Sequence, residues 1–158
     1  MRVRKFLFRQ SVLLLVALSV LASAQGAAAA LKHGLIPIIC VGETRAEKES
    51  GRAFKVVEAQ VRESIPKDAA GVFVIAYEPV WAIGTGLVPT MDDIRDMHAH
   101  IAAVLKSMGH DGTAILYGGS VKGSNAAEIM GIPHVGGVLV GGASLKPDDF
   151  IPIVTAGK

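Results

Sequence analysis

A chain of 158 residues that is 51% hydrophobic and only 19% charged is not built for disorder, and its size suits one domain around a buried core. Its formal charge of +2 comes from Arg2, Arg4, Lys5 and Arg9 in a stretch with no Asp or Glu; setting those four aside leaves 12 Lys+Arg against 14 Asp+Glu. A mildly acidic body with 5% aromatic residues and no basic stripe excludes nucleic acid as the expected partner, and a lone cysteine excludes an internal disulfide.

The N-terminus reads separately from the rest. Met1 to Arg9 is cationic, Ser11 to Leu21 is almost wholly apolar, and Ala22-Ser23-Ala24 has the small-x-small form of a cleavage site. This is the layout of a secretory signal peptide, and the apolar run is short of the roughly 20 residues that span a bilayer. Residues 1–24 are therefore expected to be a signal-like hydrophobic leader helix, and 25–158 the folded unit. A hydrophobic helix that merely starts the chain is the plainer alternative. Ala27 to Lys32 reads as the end of a helix leading through Gly34 into the first strand.

From there, short apolar strands alternate with Gly-rich loops and amphipathic helices. The predicted strands are Ile36 to Val41, Val72 to Tyr77, Ala114 to Tyr117 and Gly137 to Val140. Continuous apolar runs predict strands covered on both faces, and intervening helices predict parallel pairing with right-handed crossovers. A helix over Arg45 to Ile65 is expected to bury Phe54, Val57, Val61 and Ile65. The clearest helix runs from Asp92 to Met108, where Ile94, Met97, Ile101, Val104, Leu105 and Met108 share one face, with Thr90 placed to cap it and Gly109 to end it. Shorter helices are expected near Asn125 to Met130 and Pro147 to Val154. The fold class is α/β with about four parallel β/α units. Periodicity alone suits an open doubly wound sheet as well as half of an eight-stranded barrel, which needs about 250 residues.

The chemistry concentrates at strand ends. Ala76 to Gly86 reads A-Y-E-P-V-W-A-I-G-T-G, placing Glu78 at the C-terminal end of a strand, where barrel enzymes keep catalytic groups. With I-C-V-G-E-T at Ile39 to Thr44, L-Y-G-G-S-V at Leu116 to Val121 and V-G-G-A-S-L at Val140 to Leu145, in this order and spacing, the chain resembles the triosephosphate isomerases over about four fifths of its length. The resemblance is to strands 5 to 8, so it implies a partial TIM (β/α)8 barrel.

It also implies an isomerase acting on a small phosphorylated three-carbon substrate in the cytoplasm, with no cofactor and no metal; the leader points instead to export. Glu78 would be the catalytic base that shuttles a proton between adjacent carbons. Pro79, Val80, Trp81, Ala82, Ile83, Thr85 and Gly86 would form a lid that excludes water, and Gly84, Ser120, Gly141 and Gly142 would bind the substrate phosphate through backbone N–H groups and a hydroxyl. Cys40 and Glu43 would support the base. Plainer readings stand beside these: a strand-end salt bridge for Glu78, tight turns for the glycine pairs, a small buried hydrophobe for Cys40. The five histidines lie outside the motifs and receive no catalytic role. The family's orienting asparagine and electrostatic lysine after strand 1, and its electrophilic histidine after strand 4, have no counterpart in these residues. Open strand edges call for a partner, either a second copy or a complementing N-terminal half-barrel.

Overall fold

A computed structural model describes residues 24–67, 69, 72–83 and 87–157. The expected leader and the Gly84, Thr85 and Gly86 stretch lie outside the described residues. Four parallel strands pair in sequence order: β1 (Ile38–Val41), β2 (Val74–Tyr77), β3 (Ile115–Tyr117) and β4 (Gly137–Val138). The register sets Cys40 beside Ala76, Ala76 beside Leu116, and Leu116 beside Gly137. Helices α1 (Ala24–Lys32), α2 (Arg45–Glu49), α3 (Ala53–Ser64), α4 (Met91–Ser107), α5 (Ala126–Met130) and α6 (Pro147–Ala156) fill the connections. This is the expected α/β arrangement of four β/α units. Among the described residues, no helix is long and apolar enough to cross a membrane.

The sheet is not covered on both faces, as the apolar runs had suggested. Ile39, Val41, Ile75, Tyr77, Ile115 and Tyr117 are buried against Val57, Val61, Ile94, Ile101, Leu105 and Ile129 of α3, α4 and α5. Their neighbours along the strands are less covered: Cys40 is exposed, Ile38, Val74 and Leu116 are only half-buried, and the small Ala76 between them is buried. Side chains alternate between faces along a strand, so one face builds the core and the other is largely open. Strands β1 and β4 are the two edges.

Two helix boundaries have identifiable causes. The single helix expected over Arg45 to Ile65 is broken after α2, where Gly51 adopts φ +70°. There the Gly51 N–H donates to the Lys48 carbonyl and the Arg52 N–H to the Glu47 carbonyl, a Schellman ending that glycine makes cheap. Phe54, in the first turn of α3, stays out of the expected buried stripe; it is 45% exposed and packs T-shaped with the His100 ring. Helix α4 starts as expected, with a reciprocal capping box between Thr90 and Asp93, and Gly109 at φ +84° follows its end.

Candidate functional site

Residues at the C-terminal ends of the strands fall into two layers, one on each face of the sheet. On the open face, Glu78 follows β2 and its backbone N–H donates to the Val41 carbonyl at 2.7 Å, extending the ladder past the strand. The Cys40 thiol donates to Glu78 Oε1 at 3.4 Å. A Cβ at Gly118 would stand 2.5 Å from Glu78 Cγ, and one at Gly42 would strike the Glu78 carbonyl oxygen at 1.8 Å. Both glycines are therefore structural conditions for where the carboxylate sits. Gln60 of α3 clamps Gly42 from outside, accepting from its N–H at 2.8 Å and donating to its carbonyl at 3.0 Å. Side-chain amides doing the work of a neighbouring strand leave no signature in periodicity, so Gln60 escaped the sequence reading.

Among the described residues, no Lys, Arg or His pairs with Glu78. The carboxylate lines a cavity of about 330 Å³ with Cys40, Gly42, Gln60, Val80 and Ile83. A larger one, about 580 Å³, lies between α4 and the N-terminal ends of β3 and β4, lined by Thr113, Ala114 and Gly136.

Burial around the sulfur, then the Glu78 charge, then the hydrogen bond to it push the Cys40 thiol up from 9.0 to about 12. Cys40 is not a core hydrophobe: part of the residue is exposed on the open face, while its sulfur is crowded against the carboxylate. Since the thiolate is the reactive form and each pKa unit is a factor of ten in its population, Glu78→Gln should speed alkylation of this single cysteine several-fold at pH 8. Mass spectrometry of iodoacetamide adducts reads the rate. An unchanged rate would mean that the carboxylate does not face the sulfur.

On the helix-covered face, Glu43 is 1% exposed and gathers the loop that follows Glu78. Its Oε1 accepts from Trp81 Nε1 at 2.7 Å and from the Tyr77 hydroxyl at 3.3 Å, and its backbone carbonyl accepts from the Val80 N–H. Burial first, then the Glu43 charge, hold the Tyr77 phenol protonated far above its ordinary range. Pro79 is buried, and Val80–Ala82 form one 3₁₀ turn. Ser120 reaches the same loop, donating from Oγ to the Ala82 carbonyl at 3.2 Å. The Gly118-Gly119 pair has two separate reasons: Gly118 leaves room for Glu78, while a Cβ at Gly119 would lie 2.1 Å from the Tyr117 hydroxyl. Gly141 and Gly142 sit in the loop after β4, next to β3, where Gly142–Leu145 make a 3₁₀ turn and Ser144 donates twice to the Gly141 carbonyl. Neither Gly141 nor Gly142 has anything within 4 Å of an added Cβ, so no packing contact explains why these positions are glycine.

A family model described as triosephosphate isomerase matches residues 21–157. The chain belongs to the triosephosphate isomerase family. It is 55% identical over 138 residues to the triosephosphate isomerase of Acidiphilium cryptum strain JF-5, covering 80% of this chain and 54% of that protein. It is 52% identical over 132 residues to that of Xanthobacter flavus, covering 81% and 53%. The crystal structure of triosephosphate isomerase from Bartonella henselae superposes with a TM-score of 0.73 at 42% identity, over 82% of this chain and 53% of that one. The chain thus spans about half the length of the curated relatives it matches.

Proposed function

We propose that this chain supplies the base and the phosphate-holding loops of a triosephosphate isomerase, interconverting dihydroxyacetone phosphate and glyceraldehyde 3-phosphate in the cytoplasm. The observation that carries the reading is Glu78: a carboxylate held at a strand end by Gly42, Gly118 and Cys40, on the open face of a sheet whose family is known. Its role is to take a proton from the carbon beside the substrate carbonyl and return it to the adjacent carbon. Proton abstraction of this kind needs a substrate within hydrogen-bond reach and a polarised carbonyl; triosephosphate isomerases are themselves the standard example of a glutamate base paired with a neutral histidine electrophile. Ser120, Gly141 and Gly142 hold the phosphate from the loops after β3 and β4, the two glycines leaving the space beside their backbone open. The paired loops after the last two strands are the usual phosphate site of such barrels.

The polarising groups are to be supplied from outside these four β/α units, since the motifs that carry the resemblance include no counterpart of the family's electrostatic lysine and electrophilic histidine. We assign them to a complementing set of four β/α units that pairs with the edges of β1 and β4 and covers the open face with Ile38, Cys40, Val74 and Leu116. The test is mixing. The 158-residue chain alone should show no turnover above background, because one lost electrophilic donor costs about 100- to 1000-fold. Adding a polypeptide with the first four β/α units of a relative should restore turnover and raise thermal stability together. Stable association without turnover would sink the enzymatic reading and leave a phosphate-binding protein; robust turnover by the chain alone would sink the need for complementation.

A further inference from the structure

Lys48 belongs to α2, away from the open face, yet its ammonium touches both described ends of the segment that follows the base. At one end it lies 4.7 Å from the centroid of the Trp81 ring. At the other it pairs with Asp93 Oδ1 at 2.9 Å, while Asp93 Oδ2 accepts from the N–H and hydroxyl of Thr90 in the α4 capping box. The indole is thus held from two directions, edge-on by Glu43 through Nε1 and face-on by the cation. Lys48 and Asp93 are 35% and 38% exposed, so the ion pair by itself is a weak one. What distinguishes it is that a single charge closes a chain of contacts from Glu43 through Trp81 to Thr90. Glu43, Lys48, Tyr77, Asp93 and Met97 line one cavity of about 300 Å³, which this chain of contacts borders.

We propose that Lys48 is a positioning residue that fixes the orientation of Trp81, and with it the Val80–Ala82 turn behind Glu78, by bridging the indole to the N-terminus of α4. An ammonium over an indole face is favourable enough to bias an equilibrium by about two- to fivefold at a partly exposed site, and the Asp93 carboxylate keeps it there. The consequence for catalysis rests on the reading of Glu78 as the base; the orientation of Trp81 does not.

Trp81 is the only tryptophan in the chain, so its fluorescence reports on the bridge with no turnover required. In the full 158-residue chain, Lys48→Met keeps most of the stem and removes the charge. It should raise acrylamide quenching of Trp81 about two- to fivefold, with helix content by circular dichroism unchanged. Lys48→Arg should restore the native value, since guanidinium both stacks on indole and pairs with carboxylate. Asp93→Asn, which keeps an acceptor for the cap and loses the charge, should fall between. Raising NaCl from low to molar concentration on the unmodified chain gives an arm free of folding risk, and quenching should rise as the ion pair is screened. Native quenching in folded Lys48→Met, or no response to salt, would overturn the bridge. In the complemented barrel, Lys48→Met should lower kcat more than it changes KM. Altered fluorescence beside a mixture that associates stably but never turns over would leave the bridge standing and count against Glu78 as a base.

Discussion

Glu78→Gln is expected to lower the turnover of the complemented barrel by about 100- to 10,000-fold, the range over which a positioned general base contributes. Glutamine has the same heavy-atom shape, so it fits the same space beside Gly118 and above the Gly42 backbone. Its amide oxygen still accepts from the Cys40 thiol, and the backbone hydrogen bond from residue 78 to the Val41 carbonyl is unaffected. What disappears is basicity. Because substrate binding is assigned to Ser120, Gly141 and Gly142 in other loops, KM should change far less than kcat, the signature of an interaction made in the transition state alone. Glu78→Asp keeps the base but withdraws it by one methylene, so it should fall between the two. Steady-state assays of the mixture decide the matter: wild-type turnover in Glu78→Gln would show that another group carries the proton.

The strand–loop–helix rhythm was legible because each strand is a compact apolar run and each loop is marked by glycine. Helix α4 was legible almost to the residue, since Thr90 and Gly109 bracket its apolar stripe. The one-sided sheet was not. Strand side chains facing a barrel interior are as apolar as those facing the helices, so Ile38, Val74 and Leu116 look like core in the sequence although they are half-buried here. Gly51 was missed as a helix terminator because Arg45 to Glu49 is good helix-forming sequence with no apolar stripe of its own to show where the helix breaks. Within the site, the motifs singled out Glu78, Cys40, Glu43, Trp81 and Ser120, of which the structure joins Cys40 to Glu78 and Trp81 to Glu43, with Ser120 on the Ala82 carbonyl. They did not reveal Gln60 or Lys48, whose roles depend on where α2 and α3 place them rather than on any local pattern.

His98 lies in the core rather than on the open face, and its burial has a measurable consequence. The ring is wholly inaccessible, 5.9 Å from the Tyr77 ring and 6.4 Å from that of Tyr117; its Nδ1 donates to the His134 carbonyl at 3.3 Å, and its Nε2 has no partner. Burial, which outweighs the help of the His134 carbonyl, lowers its pKa from 6.5 to about 4. The folded state therefore refuses a proton that the unfolded chain accepts. Stability from this source is fully present above pH 6.5 and is lost as the pH falls from there to 4, amounting to about 3 kcal/mol at the lower limit. Carboxylates with lowered pKa values, Glu47 and Asp93 among them, weaken the fold only at the acid end of this window. Subtraction isolates the histidine: His98→Phe keeps a ring between the two tyrosines and cannot titrate. The difference in unfolding free energy between the parent and His98→Phe, measured by urea denaturation, should stay constant above pH 6.5 and shift in favour of the variant by about 3 kcal/mol by pH 4. If that variant packs badly, the imidazole signal of His98 in the parent still decides the question, since it should remain that of a neutral ring at about pH 5. A constant difference across the window, or a ring that protonates near pH 6.5, would show that His98 is not held neutral by burial.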